Sequence, residues 1–213
     1  KRNLTKWLRQ LIVLKCLKST LKMKHTNYSS AKTLQDVYDI QHHICDDGEG
    51  PTWHRNMALM ECAKDSESIM ELGINQGSSF VLMMMQNPKK IIGVDVNTNS
   101  WFKGGLYELA SEYATNNNIE VEILKMSSTD PKSIRNVDML HIDSLHNPKH
   151  LKGELKLHAP HVNKYIAFHD IKQNNYELWK VIQEFLANNK DWKLKNFYDK
   201  EGKCGHVEIE KIK

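Results

Sequence analysis

The sequence predicts an α/β fold: a Rossmann-like, mostly parallel seven-stranded sheet with helices on both faces and a C-terminal antiparallel hairpin. Three observations predict it. From Glu67 onward, short continuous apolar runs alternate with amphipathic segments, the signature of strands buried on both faces. The last two runs are separated only by residues 199–205, a length that suits a hairpin and not a crossover. Finally, 213 residues with 40% hydrophobic and 26% charged side chains make one ordinary domain plus an extension.

The elements follow in order. Ser30 followed by Leu34, Val37, Tyr38, Gln41 and Ile44 reads as a capped helix, residues 46–51 break it, and 55–64 is helical again. Parallel strands are expected over 68–72, 91–96, 121–124, 137–142 and 165–169. Helices over 78–86, 106–116, 148–158 and 176–188 separate most of them, and strands over 192–198 and 206–212 form the hairpin. Residues 25–64 are expected to be a helical cap or lid, with 48–54 contributing to it and Trp53 as one wall, and 65–213 the core.

Residues 1–24 are expected to be a separate basic arm. They hold eight Lys or Arg and no acid, so the net charge of +4 becomes −4 over the remainder. Leu4, Trp7, Leu8, Leu11, Ile12 and Leu14 fall within an arc of roughly 160° on a helical wheel. Such a helix suits a membrane surface or a partner, or packs on the body or on a second copy of the chain. The first residue is Lys, not Met, as in a sequence that begins inside a longer chain. A uniformly basic nucleic-acid surface does not describe this charge distribution, so no nucleic-acid partner is expected. No run of about 18 apolar residues exists. Cys16, Cys45, Cys62 and Cys204 lack metal or redox spacing; they fit a reducing, cytoplasmic setting.

In an open parallel sheet ligands bind beyond the carboxyl ends of the strands. The first strand runs into Glu71-Leu72-Gly73-Ile74-Asn75-Gln76-Gly77-Ser78-Ser79. Gly73 and Gly77 allow a tight turn and close backbone approach, and Ser78 and Ser79 open the next helix with hydrogen-bond donors. The second strand ends at Asp95, where an acid can accept both ribose hydroxyls of a nucleoside. A plain turn glycine with a helix-capping Asp is the alternative. The fourth strand ends His141-Ile142-Asp143-Ser144-Leu145-His146 and the fifth ends Phe168-His169-Asp170. Asp143 and Asp170 then sit at neighbouring strand tips, about 5 Å apart. Two carboxylates that close repel unless they share a proton or a cation, and a divalent ion answers this. His146, one turn beyond Asp143, is placed to act as general base.

These motifs, with Ser128-Thr129-Asp130-Pro131 and Glu154-Leu155, resemble class I S-adenosylmethionine-dependent methyltransferases. The similarity is to the branch of cephalosporin-hydroxylase-like proteins and metal-dependent macrolide-sugar O-methyltransferases, over roughly residues 65–172. The resemblance implies a cofactor set of Glu71, Gly73, Asn75, Gly77, Ser78, Asp95 and Ser128. Glu71 would support the loop, Asp95 would take the ribose, and Ser128 would lie near the adenine. It implies Asp143 and Asp170 as metal ligands, with His169 where the branch often has a metal-binding Glu. Asp143 and His146 are the catalytic pair. Magnesium is the expected ion, although a His is a better ligand for softer ions. Asn75 replaces a common middle glycine, and Ser127 the acid before the Ser-Thr-Asp-Pro run.

The expected activity is therefore methylation of a hydroxyl on a sugar or other small molecule. The alternative is a catalytically silent scaffold of the same fold, tethered by the arm. A nicotinamide oxidoreductase fits less well, because Asn75 occupies the second glycine of its fingerprint.

Overall fold

The computed structural model describes residues 28, 30–44, 51–103, 105–199 and 205–212, with side chains for all of these except 41–44, 51–55 and 173–175. The arm over 1–24 and most of the break at 46–51 lie outside the described residues. Contacts divide the chain into two compact units, Lys1–Ser30 and Ala31–Lys213, and the second carries everything below.

Seven strands form one sheet: β1 Ser68–Leu72, β2 Lys90–Asp95, β3 Glu120–Lys125, β4 Val137–Ile142, β5 Val162–His169, β6 Trp192–Tyr198 and β7 His206–Lys211. Their spatial order is β3-β2-β1-β4-β5-β7-β6. The first five pair in parallel, and β7 is antiparallel to both β5 and β6. The whole of β6 therefore runs with β1–β5 but reaches them only through β7. The carboxyl ends of the first five strands share one edge of the sheet, which is what gathers a site there.

The helices are α1 Leu34–Ile44, α2 Pro51–Lys64, α3 Ser78–Met84, α4 Asn99–Lys103, α5 Leu106–Asn116, α6 Pro148–His158 and α7 Gln173–Asn188. Alternate strand residues pack under α6 and α7: Met70, Leu72, Leu140, Ile142, Ile166 and Phe168 meet Leu151, Leu155, Val181 and Ile182 in one apolar cluster. On the opposite side α1, α2, α3 and α5 pack on one another, and α2 packs on β6.

Three local features differ from expectation. Ser30 is not the cap of α1. Thr33 Oγ1 accepts from Asp36 N at 3.1 Å while the Asp36 carboxylate accepts from Thr33 N at 2.9 Å, a reciprocal box with the acid three residues on. The second helix begins at Pro51, four residues before the apolar pattern starts, because proline suits a first helical turn. The short α4 was not expected. It follows β2 and fully buries Trp101, whose ring meets Phe80 edge-on at 5.3 Å.

Three of the four glycines with a left-handed backbone among the described residues differ in what surrounds them. A Cβ on Gly73 (φ +88°) would lie 2.3 Å from the Asp143 carbonyl oxygen, and one on Gly77 (φ +89°) would lie 2.3 Å from the Trp101 ring. Gly105 (φ +78°) has nothing within 4 Å. Gly105→Ala should therefore cost only the left-handed penalty, about 1–2 kcal/mol. Gly73→Ala should cost at least about 3 kcal/mol, because backbone must also move. Urea unfolding of the two variants checks the ranking; equal losses would mean that the turn relaxes freely.

Candidate functional site

The site is assembled from the loops that follow β1, β2 and β4 and from the end of β5. The first loop is a tight turn. Gly73 N donates to Val94 O at 2.8 Å, Gly77 N donates to Ile74 O, and the exposed Asn75 also takes a positive φ of 44°. The absence of a Cβ lets Gly73 rest on the Asp143 backbone. Asp95 ties the next loop to it: its carboxylate accepts from Asn75 N at 2.9 Å and from Asn97 N at 2.8 Å. Each oxygen retains a lone pair, and the side chain is only half-buried. The next residue, Val96, is 68% exposed, and Leu145 after β4 is 64% exposed. Two uncovered apolar side chains and an acceptor acid at strand tips suit the flat base and the ribose of a nucleoside.

Glu71 lies beneath the turn, fully buried. One carboxylate oxygen accepts from the Ser79 hydroxyl and pairs with His141 Nδ1 at 2.8 Å. Burial pushes this carboxyl up, against the pull of His141 and Ser79. Ser78 opens α3, half-buried. Ser128 is turned away from the sheet edge, into α6. Its hydroxyl meets His150 Nε2 at 2.9 Å, and its carbonyl accepts from His158 Nε2 at 2.7 Å. Both its hydroxyl and its carbonyl are thus engaged by neighbouring side chains. Glu154, fully buried on the same helix, accepts from the Ser144 hydroxyl at 2.5 Å and lies 3.3 Å from His150 Nε2.

Asp143, His146, His169 and Asp170 form the charged centre. His169 Nδ1 lies 3.0 Å from Asp143 Oδ1 and 3.4 Å from Asp170 Oδ2. His146 Nε2 lies 3.0 Å from Asp170 Oδ2 and 3.4 Å from Asp143 Oδ1. Asp170, the residue after β5, has a left-handed backbone, φ +57°, a conformation that Asp tolerates better than most residues. Burial raises the Asp143 carboxyl, but His169 and His146 outweigh it and hold the group well below the usual range. Hydrogen bonds to Asp143 and then Asp170 push His146 up to about 10. Donor atoms of Asp143, His169 and Asp170 all lie within 4.8 Å of one another. The trio fits a divalent cation, and its ring nitrogen favours an ion softer than magnesium.

Sequence patterns brought Asp95, Asp143, His146 and Asp170 into view, and resemblance alone brought His169. They missed a buried row behind the centre: His206, opposite His169 in the sheet, meets Glu208 at 3.0 Å, and its ring centre lies 6.2 Å from that of His141. The available signal was three polar residues, His206, Glu208 and Glu210, alternating with Val207 and Ile209.

No protein-family model matches the chain, and no curated protein matches its sequence. The fold is similar to that of the ribosomal protein L11 methylase from Lactobacillus delbrueckii subsp. bulgaricus. The TM-score there is 0.53 at 15% identity, over 76% of this chain and 80% of that one. It is also similar to the SAH-bound methyltransferase PaMTH1 of Podospora anserina (TM-score 0.53, 11% identity, 86% and 89% covered). A third similar structure is a branched-chain polyamine synthase mutein from Thermus thermophilus in complex with N4-aminopropylspermidine and 5'-methylthioadenosine (TM-score 0.56, 10% identity, 76% and 55% covered). At such identities the likeness is one of architecture: this chain has the class I methyltransferase fold. Among the described residues no helix is long and apolar enough to cross a membrane.

The buried row has a pH signature. Burial lowers His206 to about 4, against the pull of Glu208. The unfolded chain, with an ordinary His pKa of about 6.5, binds this proton first, so stability falls as pH drops from about 6.5 to about 4. The loss is on the order of 3 kcal/mol. Urea unfolding of wild type and His206→Gln across that window should give a gap that closes on acidification; a constant gap would show that His206 titrates normally.

Proposed function

We propose that the protein is an S-adenosylmethionine-dependent methyltransferase of the metal-assisted, small-molecule O-methyltransferase type, acting on a hydroxyl of a sugar or similar polyol. One observation carries this reading: the glycine turn and the charged centre are a single site. Gly73 sits directly on the backbone of Asp143, so a nucleoside held by Asp95 and the turn ends beside the Asp143–Asp170 carboxylates.

Asp95 accepts the ribose hydroxyls, and Val96 offers an apolar surface to the base. Asp143, His169 and Asp170 would hold a divalent cation, which would supply a Lewis acid that lowers the pKa of an acceptor hydroxyl. The side chains around it fix the acceptor oxygen in line behind the methyl group, and such orientation supplies several kcal/mol of the barrier. The oxygen–carbon bond forms as the carbon–sulfur bond breaks. The electron pair stays on sulfur, and the hydroxyl proton leaves to a base or to solvent. His146 serves as that base only after its Nε2 parts from both carboxylates, since between them it keeps a proton.

Two measurements test the reading. Calorimetry should show S-adenosylhomocysteine binding to the protein, weakened about 10- to 100-fold in Asp95→Ala, the range for losing hydrogen bonds to a charged group. Turnover over a panel of hydroxylated acceptors should require a divalent ion. Unchanged affinity in Asp95→Ala would overturn the cofactor site. Binding without turnover across the panel would favour a silent scaffold of the same fold.

A further inference from the structure

His150, Glu154 and His158 recur every four residues along α6, so they stand one above another on the helix, beside the core residues Leu151 and Leu155. Glu154, at the centre of this row, is fully buried. Burying a carboxylate is costly unless hydrogen bonds compensate. Here only one oxygen is compensated, because Glu154 Oε2 has no hydrogen-bond partner. An apolar side chain would serve packing at least as well. What Glu154 adds is a single acceptor that two loops reach.

From the loop after β4, the Ser144 hydroxyl donates to Glu154 Oε1 at 2.5 Å. From the loop after β3, the Ser128 hydroxyl meets His150 Nε2 at 2.9 Å, and that nitrogen lies 3.3 Å from Glu154 Oε1. The helix also comes close to the second loop: a Cβ on Gly153 would lie 3.4 Å from Thr129 Cγ2. Burial pushes the Glu154 carboxyl up, against the pull of the Ser128 and Ser144 hydroxyls and of His150. Ser144 is the decisive end. It follows Asp143 directly, and a Cβ on Gly73 would lie 2.8 Å from its Cα. The pair 143–144 is thus held on one side by the glycine turn and on the other by a buried acid. The same pair carries the carboxylate that meets His169 at 3.0 Å.

We propose that Glu154 is a positioning residue: through Ser144 it fixes the segment shared by the glycine turn and the charged centre, and through His150 and Ser128 it ties that segment to the loop after β3. Glu154 itself is wholly enclosed, so it acts only through these neighbours. The proposal deepens the methyl-transfer reading above and rests on it.

Calorimetry on the full chain, after treatment with a chelator, compares S-adenosylhomocysteine and manganese(II) binding in wild type, Glu154→Leu, Glu154→Gln, Ser144→Ala and the Glu154→Leu/Ser144→Ala double variant. Glu154→Leu should weaken each ligand that wild type binds about 10-fold, the low end for residues that orient a metal ligand from behind. Its melting temperature should nevertheless stay at or above that of wild type. Glu154→Gln keeps an acceptor for Ser144 and should stay within about 2-fold of wild type. Ser144→Ala should match Glu154→Leu, and the double variant should lose no more than either alone, because all three break one contact. If Glu154→Leu does not fold, Ser144→Ala, which removes only a half-buried hydroxyl, carries the comparison. Equal affinities in wild type and both single variants would show that Glu154 merely fills the core, and so would additive losses in the double variant; either result sinks the proposal alone. Wild type that binds neither ligand would sink the methyl-transfer reading together with the proposal.

Discussion

The structure depends on one close approach, that of the chain leaving β1 to the chain leaving β4. The two strands pair in parallel, Leu72 opposite Ile142, and Asp143 N donates back to Leu72 O at 2.9 Å. Beyond that bond the chains stay in contact only because Gly73 has no side chain to hold them at a distance. The glycine turn and the carboxylate cluster are therefore in contact through backbone, without flexible side chains between them. Geometry fixed at that level transmits sub-ångström positioning, which group transfer demands.

Much of the sheet was legible because parallel strands covered on both faces leave continuous apolar runs. β1, β4 and β6 were read to the residue, and the hairpin followed from a loop too short to cross the sheet. What escaped had a different physical origin. The α4 turn is five residues long and carries one large apolar side chain, too little for any periodicity to register. The cap of α1 was misplaced by three residues, since both Ser30 and Thr33 are good cap residues and only the reciprocal partner, Asp36, tells them apart.

The site was legible in its acids and less so in its histidines. Carboxylates at strand tips announce themselves because strand ends are the natural place for ligands. A histidine gives no such signal. His141 and His206 are buried partners of Glu71 and Glu208, His150 and His158 hold Ser128 in place, and His146 and His169 face the two aspartates. Six histidines in three settings look alike in sequence, and only three-dimensional neighbours sort them. Ser128 shows the converse. The family resemblance carries it to the adenine, whereas its hydroxyl is committed to α6. One architecture hosts many functions, so the acids and imidazoles, more than the sheet, bear on what this chain does.

The position of β7 has a further consequence. By slipping between β5 and β6 in the opposite direction, it leaves β6 as an outer strand with one side unpaired, as β3 is at the far border. Both margins are studded with charge: Glu120, Glu122 and Lys125 along β3, Lys193 and Lys195 along β6. Stripping water from these groups would be costly for any foreign strand attempting to dock. Charge at either flank thereby disfavours extension of the seven-stranded ribbon.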